Sequence, residues 1–174
     1  MRTVAKAAML VVSSLLFVCL AWAGEVQVYT DLEIRPALLE FVNGAERSLD
    51  VEMYVLTDTQ VIDAMERAED RGVQVRLILD PNQSGNQKHV ERMKQRGVEV
   101  KWFPIKKPAL MHRKLAIVDR TKFFAGSVNW THNGLANNEE LMLIVEDPKV
   151  AQQLDEVFDG DWAQAWLGHY VEYR

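Results

Sequence analysis

The sequence predicts an α/β fold for residues 24–174, with a mixed, largely parallel β-sheet sandwiched between helices in one domain. Two observations favour this class. Between residues 25 and 102, apolar runs typical of strands alternate with segments in which apolar residues recur every three or four positions. Residues 73–79 form a nearly all-apolar run, as expected of a strand covered on both faces. Strands joined by helices in this way imply right-handed crossovers between parallel neighbours.

Runs of strand-forming residues bounded by turn residues predict the strands of this sheet. The predicted strands cover residues 26–29, 48–56, 73–79 and 98–102, a hairpin over 112–126, and 140–145. The hairpin is expected because Asp119-Arg120-Thr121 separates two apolar runs. We expect the hairpin and the last strand to extend the same sheet.

Capping residues predict the bounds of the first two helices. Pro36 opens the first helix, which ends near Gly44. Either Thr57 or Asp58 can cap the second helix, and Gly72 stops it. Both helices have apolar residues at helical spacing, so each is expected to bury one face.

The later helices are predicted over residues 86–96 and from Pro148 onward. The last helix has an apolar stripe that is expected to face inward: Val150, Leu154, Val157 and Phe158, continued by Trp162 and Trp166. Between the last two strands, residues 131–138 are predicted to form a mobile loop.

The first 23 residues differ from the rest of the chain. Two cations, Arg2 and Lys6, precede an uncharged apolar run that ends in A-x-A at Ala23. This pattern is typical of a cleaved secretory signal and predicts a periplasmic or secreted protein with no stable membrane association after cleavage. The alternative is an uncleaved N-terminal membrane anchor. Cleavage would remove Cys19, the only cysteine, and so exclude disulfides and thiolate metal sites in the mature chain.

The charge distribution is uneven. The chain carries a net charge of −5, yet residues 88–122 contain eleven lysines and arginines and only three acids. Such a segment is able to contact the phosphates of a nucleic acid. The alternative interpretation is an ordinary solvated face of helix and strand.

The basic segment also contains a combination of side chains suited to phosphate chemistry. Alternation along a strand places His112 and Lys114 side by side on one face. The hairpin turn at 119–121 brings the second strand back, so that Ser127 and Asn129 lie near its start. A neutral imidazole can attack phosphorus, while an ammonium and an amide hold the non-bridging oxygens. The sequence therefore predicts a phosphate site that includes a nucleophile.

These residues resemble the HKD motif of the phospholipase D superfamily. Three pieces match it in order and spacing: H-x-K-x4-D from His112 to Asp119, G-S-x-N-W-T from Gly126, and N-N-x-E ending at Glu140. The resemblance covers roughly residues 25–168 and implies the phospholipase D/nuclease fold. The motif occurs once in the chain, as in the small bacterial single-motif endonucleases of that superfamily; their mitochondrial relatives are next in similarity.

The resemblance implies a homodimer. Phosphodiester cleavage needs a nucleophile on one side of phosphorus and an acid on the other, and one histidine cannot be both at once. In a two-fold dimer, His112 of one subunit would form a phosphohistidine, and the same residue of the other would protonate the leaving hydroxyl. The resemblance implies no cofactor and no metal, because lysines and asparagines of both subunits take the place of a cation.

The family pattern also implies roles for the other motif residues. Lys114 and Asn129 would bind the phosphoryl oxygens, and Ser127 would donate to the phosphate or position the histidine. Glu140 would accept from the second nitrogen of His112 and fix its tautomer, with Glu139 as the neighbouring alternative. The motif aspartate, Asp119, is expected to be structural, because it lies at the far end of the strand.

Three functions remain open at this point. The leading hypothesis is a non-specific nuclease that hydrolyses DNA or RNA, because the basic segment can contact only backbone phosphates. The second is a phospholipase D that acts on phospholipid headgroups. The third is a non-catalytic module that binds nucleic acid, which the complete set of motif residues disfavours.

Overall fold

A computed structural model of the chain describes residues 24–167. The predicted signal sequence lies outside the described residues. Within the described range the sheet has seven strands: β1 (Glu25–Thr30), β2 (Ser48–Met53), β3 (Gln74–Leu79), β4 (Glu99–Trp102), β5 (Lys114–Val118), β6 (Lys122–Gly126) and β7 (Leu141–Glu146). The α-helices there are α1 (Ile34–Asn43), α2 (Thr59–Asp70), α3 (Ser84–Gln95), α4 (His132–Ala136) and α5 (Pro148–Gln164).

The strands form one mixed sheet in the order β1-β7-β6-β5-β2-β3-β4. The α/β class is confirmed, but the prediction of a largely parallel sheet was wrong. Only β2 with β3 and β3 with β4 are parallel, whereas the other four pairings are antiparallel. The reason is that β5, which begins the hairpin, pairs with β2 in the antiparallel sense, and β7 and β1 continue the antiparallel half.

Helices cover both faces of the sheet, as predicted. One face packs against α1 to α4 in a large apolar core that includes Leu38, Met65, Val90 and Leu135. The opposite face packs against α5 in a smaller core around Phe158 and Ile117. Two tryptophans, Trp102 and Trp130, are buried in the larger core, so neither is available as a surface for stacking bases.

The predicted elements differ from the structure at several boundaries. The second strand ends at Met53 and not at residue 56, because the chain there turns toward α2, whose N-cap is the side chain of Asp58. The first strand of the hairpin begins at Lys114, so His112 precedes the strand. Residues 131–138, predicted as a loop, contain α4, which Thr131 caps by accepting from the backbone N–H of Gly134 at 3.0 Å.

One position of the α5 stripe was predicted wrongly. Val157 is 48% exposed, whereas Asp155 is buried and pairs with Arg120. The helix therefore turns Asp155 inward and Val157 outward, whereas apolar spacing alone predicts that Val157 faces inward. Among residues 24–167, no helix combines the length and apolar character needed to cross a bilayer.

Candidate active site

All five predicted site residues lie at the same end of three neighbouring strands, β5, β6 and β7. Antiparallel pairing brings the start of β5 and the start of β7 beside the end of β6. His112 and Lys114 stand at the start of β5, Ser127 and Asn129 follow β6, and Glu140 precedes β7. The prediction that the hairpin brings His112, Lys114, Ser127 and Asn129 to one place therefore agrees with the fold. The pairing of β7 with β6 adds Glu140.

The side chains of His112 and Lys114 contact the same aromatic ring. The imidazole centroid lies 4.6 Å from that of Tyr54, and the Lys114 Nζ lies 4.9 Å from the same ring. His112 is exposed, whereas Lys114 is only 7% exposed. Burial lowers the pKa of the Lys114 ammonium, and the nearby charge of Glu140 opposes that effect. An imidazole open to solvent thus lies beside a partly desolvated ammonium.

Between these two residues, Arg113 points to the opposite face of the sheet. Its guanidinium donates to Glu52 at 2.8 Å and also bonds Asp161 of α5. Glu52 is fully buried, and one of its carboxylate oxygens has no hydrogen-bond partner. Burial raises the pKa of Glu52 to about 7, although the charge of Arg113 opposes this. Arg113 therefore anchors this part of the chain on the α5 face of the sheet. His112 and Lys114 project from the other face, as alternation along a strand predicts.

Ser127 and Glu140 form a pair across the ends of β6 and β7. The Ser127 hydroxyl donates to the Glu140 carboxylate, and its oxygen accepts from the backbone N–H of Leu141 at 3.1 Å. The second oxygen of Glu140 accepts from the amide of Asn138 at 3.2 Å. The described residues do not include a hydrogen bond from His112 to Glu140, so the tautomer role of Glu140 stays a prediction.

A residue outside the motif clamps the backbone of Glu140. The Asp31 carboxylate accepts the N–H of Glu140 at 3.1 Å, and the Asp31 N–H donates to the carbonyl of Glu140 at 3.3 Å. Asp31 has a φ of 52°, a left-handed conformation that aspartate tolerates better than most residues. The alternative acid, Glu139, is exposed. The acid favoured from the motif spacing is therefore the one fixed in the site.

Asn129 lies on a rigid segment. Its neighbours Val128 and Trp130 are both fully buried, and the Trp130 carbonyl accepts the N–H groups of Thr57 and Asp58, each at 2.9 Å. The side-chain oxygen of Asn129 is buried without a hydrogen-bond partner among the described residues. This oxygen is an acceptor, so the predicted contact with phosphoryl oxygens falls to the NH2 group of the same amide, which donates.

The structural role predicted for Asp119 is confirmed. Its carboxylate accepts the backbone N–H groups of Glu46, Arg47 and Ser48 at 2.7 to 3.1 Å, and these bonds lower its pKa. Asp119 lies in the β5–β6 turn, at the end of the hairpin opposite to His112. It fixes the start of β2.

Three residues that support the site were missed in the sequence analysis: Tyr54, Asp80 and Asn86. Asp80 is fully buried, and its carboxylate accepts the N–H of Met111 at 2.8 Å, one residue before His112. Asn86, also fully buried, donates to the carbonyls of Tyr54 at 3.0 Å and Asp80 at 3.1 Å. Asp80 follows a buried strand directly, which is a sequence signal for a functional polar residue. Its distance along the chain from His112 gave no reason to connect the two residues.

Four of the eleven cations in residues 88–122 pair with acids elsewhere in the chain. The paired cations are four arginines: Arg92 with Asp63 and Glu66, Arg96 with Asp70, Arg113 with Glu52 and Asp161, and Arg120 with Asp155 and Asp159. These pairs join the α3 region to α2, and the residues on either side of β5 to β2 and α5. The segment is therefore less positive toward a ligand than its composition predicts. Among residues 24–167, no group of three or more His, Cys, Asp or Glu side chains is arranged to hold a metal ion.

Comparisons with known proteins show the family of the chain. A family model described as "Cardiolipin synthase, PLD-like domain" matches residues 38–162. The mitochondrial cardiolipin hydrolase of Chlamydomonas reinhardtii is 31% identical over 125 residues, which cover 71% of this chain and 55% of that protein. The phospholipase D of Rickettsia felis is 31% identical over 126 residues, which cover 72% of this chain and 58% of that protein. The chain thus spans little more than half the length of these curated relatives.

A solved structure is similar over nearly its whole length. Nuc from Salmonella typhimurium, described as a phospholipase D family member, has a TM-score of 0.78 at 22% identity, covering 84% of this chain and 99% of that chain. At this identity the likeness shows a common fold.

Proposed function

The chain belongs to the phospholipase D superfamily, and on that premise we propose that it is an exported, metal-independent phosphodiesterase that cleaves nucleic acid at a site shared by two subunits. The observation that carries this proposal is the contact of His112 and Lys114 with one ring, beside the Ser127–Glu140 pair. Phosphoryl transfer needs a nucleophile, a cation and a hydrogen-bond donor close together. The imidazole of His112, the ammonium of Lys114 and the amide of Asn129 supply these groups.

The proposed reaction proceeds in two displacements. The neutral imidazole of His112 attacks phosphorus and forms an N–P bond. The P–O bond to the leaving group breaks as its oxygen takes a proton from the imidazolium of the partner subunit's His112. Water then gives a proton to the partner's His112 and attacks phosphorus, and the N–P bond breaks. The products are a phosphate monoester and an alcohol, and both histidines return to their starting states.

In this mechanism the other residues stabilise charge and geometry. Lys114 and Asn129 hold the non-bridging oxygens, whose charge increases as phosphorus is attacked. Ser127 either donates to the phosphate or holds the Glu140 carboxylate in place through their hydrogen bond. The metal-independent part of the proposal rests on Lys114 of both subunits supplying positive charge, and full activity in EDTA is its test.

The dimer is supported by exposed leucines around the site. Leu32, Leu110 and Leu141 are 73%, 46% and 45% exposed, and each lies within two residues of His112, Glu140 or the Asp31 clamp. We assign this apolar rim to contact with a second copy, which brings the second His112 to the same phosphorus.

Mixed dimers test the shared site. When wild type and His112→Asn are co-expressed in equal amounts, a shared site leaves activity at about one quarter of the wild-type value, because only dimers with two histidines work. Independent subunits would retain about one half. The latter result would contradict the shared site without affecting the assignment as a phosphodiesterase.

A substrate panel tests the reaction and its class. Purified protein is incubated in EDTA with plasmid DNA, RNA, and vesicles of phosphatidylcholine with an anionic phospholipid, and His112→Asn is the control. We expect hydrolysis of nucleic acid by wild type alone, with an alkali-stable, acid-labile phosphate adduct on His112. Absence of hydrolysis on every substrate would contradict the enzyme proposal and favour a binding module.

A second candidate is hydrolysis of a phospholipid headgroup. Two observations favour it: the names of the curated relatives, cardiolipin hydrolase and phospholipase D, and the pairing of four arginines with acids, which reduces the positive field available to a polyanion. Activity on vesicles without activity on DNA or RNA would select this candidate.

Export is proposed from the signal pattern in residues 1–23. N-terminal sequencing of protein from the periplasm or medium is expected to begin at Gly24. A chain that begins at Met1 and sediments with membranes would instead support the N-terminal anchor.

A further inference from the structure

Tyr54 lies directly after β2 and is not part of the motif, yet its ring contacts the side chains of both His112 and Lys114. The rings of Tyr54 and His112 are inclined at 56° with centroids 4.6 Å apart, and the Lys114 ammonium lies 4.9 Å from the same centroid. The ring of Tyr54 therefore packs against both the proposed nucleophile, His112, and the proposed phosphate-binding cation, Lys114.

The backbone of Tyr54 is tied to the motif itself. Its N–H donates to the carbonyl of Arg113, the residue between His112 and Lys114, at 3.1 Å. Its carbonyl accepts from the buried amide of Asn86 at 3.0 Å. The bond to Arg113 therefore couples the position of the Tyr54 ring to the position of the motif backbone.

The far end of the side chain is also held. The Tyr54 hydroxyl accepts from the Gln83 amide, at the start of α3, at 2.8 Å. Backbone and hydroxyl together leave the ring little freedom to rotate or tilt. A ring held at both ends is a rigid surface, whereas His112 alone is exposed and has staggered rotamers to explore.

The ring also suits the charges of the site. An aromatic face attracts a cation placed over it, and Lys114 is removed from water by its burial. The imidazole becomes cationic in one half of the proposed reaction, and the same face is within reach of it. The ring therefore substitutes for part of the hydration that the Lys114 ammonium loses on burial.

We propose that Tyr54 is a positioning residue, whose ring holds the imidazole of His112 and the ammonium of Lys114 in their relative places for attack on phosphorus. The activity readouts of this inference rest on the proposed function. The role is one of geometry, because the ring contacts the reacting side chains and no bond to Tyr54 forms or breaks.

Three variants separate the ring from the hydroxyl and from the fold. Tyr54→Leu removes the ring, Tyr54→Phe keeps it, and Tyr29→Leu is a matched control, since Tyr29 is the other tyrosine within residues 24–167 and its hydroxyl bonds Gln27 in β1. We expect Tyr54→Leu to lower kcat about 10- to 100-fold with little change in KM, because a small misplacement of a reacting group has effects of this size. Tyr54→Phe recovers kcat to within about threefold of wild type, because the ring is the part that positions.

The pH dependence gives a readout that a purely structural role would not change. Burial lowers the pKa of Lys114, and removal of the ring lets water return to the ammonium. Removal of the ring also removes its attraction for the cation, so the alkaline limb of the kcat profile is expected to shift in Tyr54→Leu and to stay in place in Tyr29→Leu.

A measurement without substrate distinguishes failure of this inference from failure of the proposed function. The ring currents of Tyr54 should displace the proton NMR signals of the His112 imidazole, assigned by their loss in His112→Asn, and Tyr54→Leu should remove that displacement. Circular dichroism and the melting temperature verify folding, and Tyr54→Met replaces the leucine variant if the latter unfolds. Equal kcat, pH profile and His112 signals in wild type and the ring-less variant would overturn the inference.

Discussion

The carboxylate of Asp80 accepts the backbone N–H of Met111 at 2.8 Å, although the two residues are far apart in the chain. The other oxygen of Asp80 accepts the N–H of Asn82 at 2.7 Å. Because both acceptors are used and Asp80 is fully buried, this one side chain joins the end of β3 to the residue that precedes His112. The site thus depends on a carboxylate that takes no part in the proposed chemistry.

This relationship predicts the effect of Asp80→Asn. Asparagine offers one acceptor oxygen and would turn its NH2 group toward one of the two backbone donors, so we expect a loss of about 1–3 kcal/mol in the free energy of unfolding. We also expect kcat to fall about tenfold or more, because the start of the motif is released. Denaturant melts and hydrolysis assays measure both.

Asp147→Asn is the control for that substitution. Asp147 caps α5 by accepting two N–H groups with a single oxygen, a role that asparagine fills equally well. Wild-type kcat in Asp80→Asn would show that the backbone bond does not position His112.

The Ser127–Glu140 pair predicts non-additive kinetics. If Glu140 acts through Ser127, then Ser127→Ala and Glu140→Gln each remove the same interaction, and the double variant should be no slower than the worse single one. We expect each single substitution to lower kcat about tenfold. Additive losses would instead indicate that Glu140 acts on His112 directly, as the motif resemblance implies.

Two glycines near the site have no room for a side chain. A Cβ on Gly126 would lie 2.2 Å from the carbonyl oxygen of Leu141, and one on Gly134 would lie 2.4 Å from that of Asn129. Both contacts are with backbone, so alanine at either position is expected to destabilise the fold by about 1–3 kcal/mol and to displace Glu140 or Asn129.

Gly160→Ala is the control for these two substitutions, and we expect it to have the opposite effect on stability. A Cβ there meets no atom within 4 Å, and the residue lies inside α5. We expect this alanine to stabilise the protein by about 0.5–1 kcal/mol, because alanine favours helix more than glycine. Thermal melts of the three variants compare these effects, and tolerance of Gly126→Ala would contradict the close approach of β6 to β7.

The buried charges beneath α5 predict how stability depends on pH. Burial raises the pKa of Glu52 from 4.5 to about 7, and that of Asp50 from 3.8 to about 6. A raised pKa means that the folded state binds the proton more tightly than the unfolded state. The resulting stability is complete below the unfolded pKa and is lost as the pH rises through the folded value. Acidification from about pH 8 to about pH 5 should therefore stabilise the fold, on the order of 1–3 kcal/mol for Glu52.

Glu52→Gln tests this dependence. The variant should show a flatter curve of unfolding free energy between these pH values, whereas Glu156→Gln, on the exposed face of α5, should keep the wild-type curve. Urea melts at several pH values give the comparison. Parallel curves for wild type and Glu52→Gln would mean that Glu52 titrates alike in both states.

The local order of residues by itself determined most of the strands and helices, the convergence of His112, Lys114, Ser127 and Asn129, and the structural role of Asp119. Glu140 was added by the motif resemblance, and α4 was missed. These features depend on short-range information: apolar periodicity sets the element type, capping residues set its ends, and strand alternation sets which side chains share a face. The hairpin brings Lys114 and Ser127 together over a few residues, so no distant contact is needed to predict their approach.

Tertiary structure alone decided which strands pair, and with them the support of the site. The pairing of β2 with β5 makes the sheet mostly antiparallel and carries Tyr54 to His112, and the end of β3 carries Asp80 to Met111. Long-range ion pairs likewise neutralise arginines that composition assigns to a free basic surface. The physical reason is that strand partners and ion-pair partners are chosen by the burial and charge of the whole fold, which local patterns do not contain.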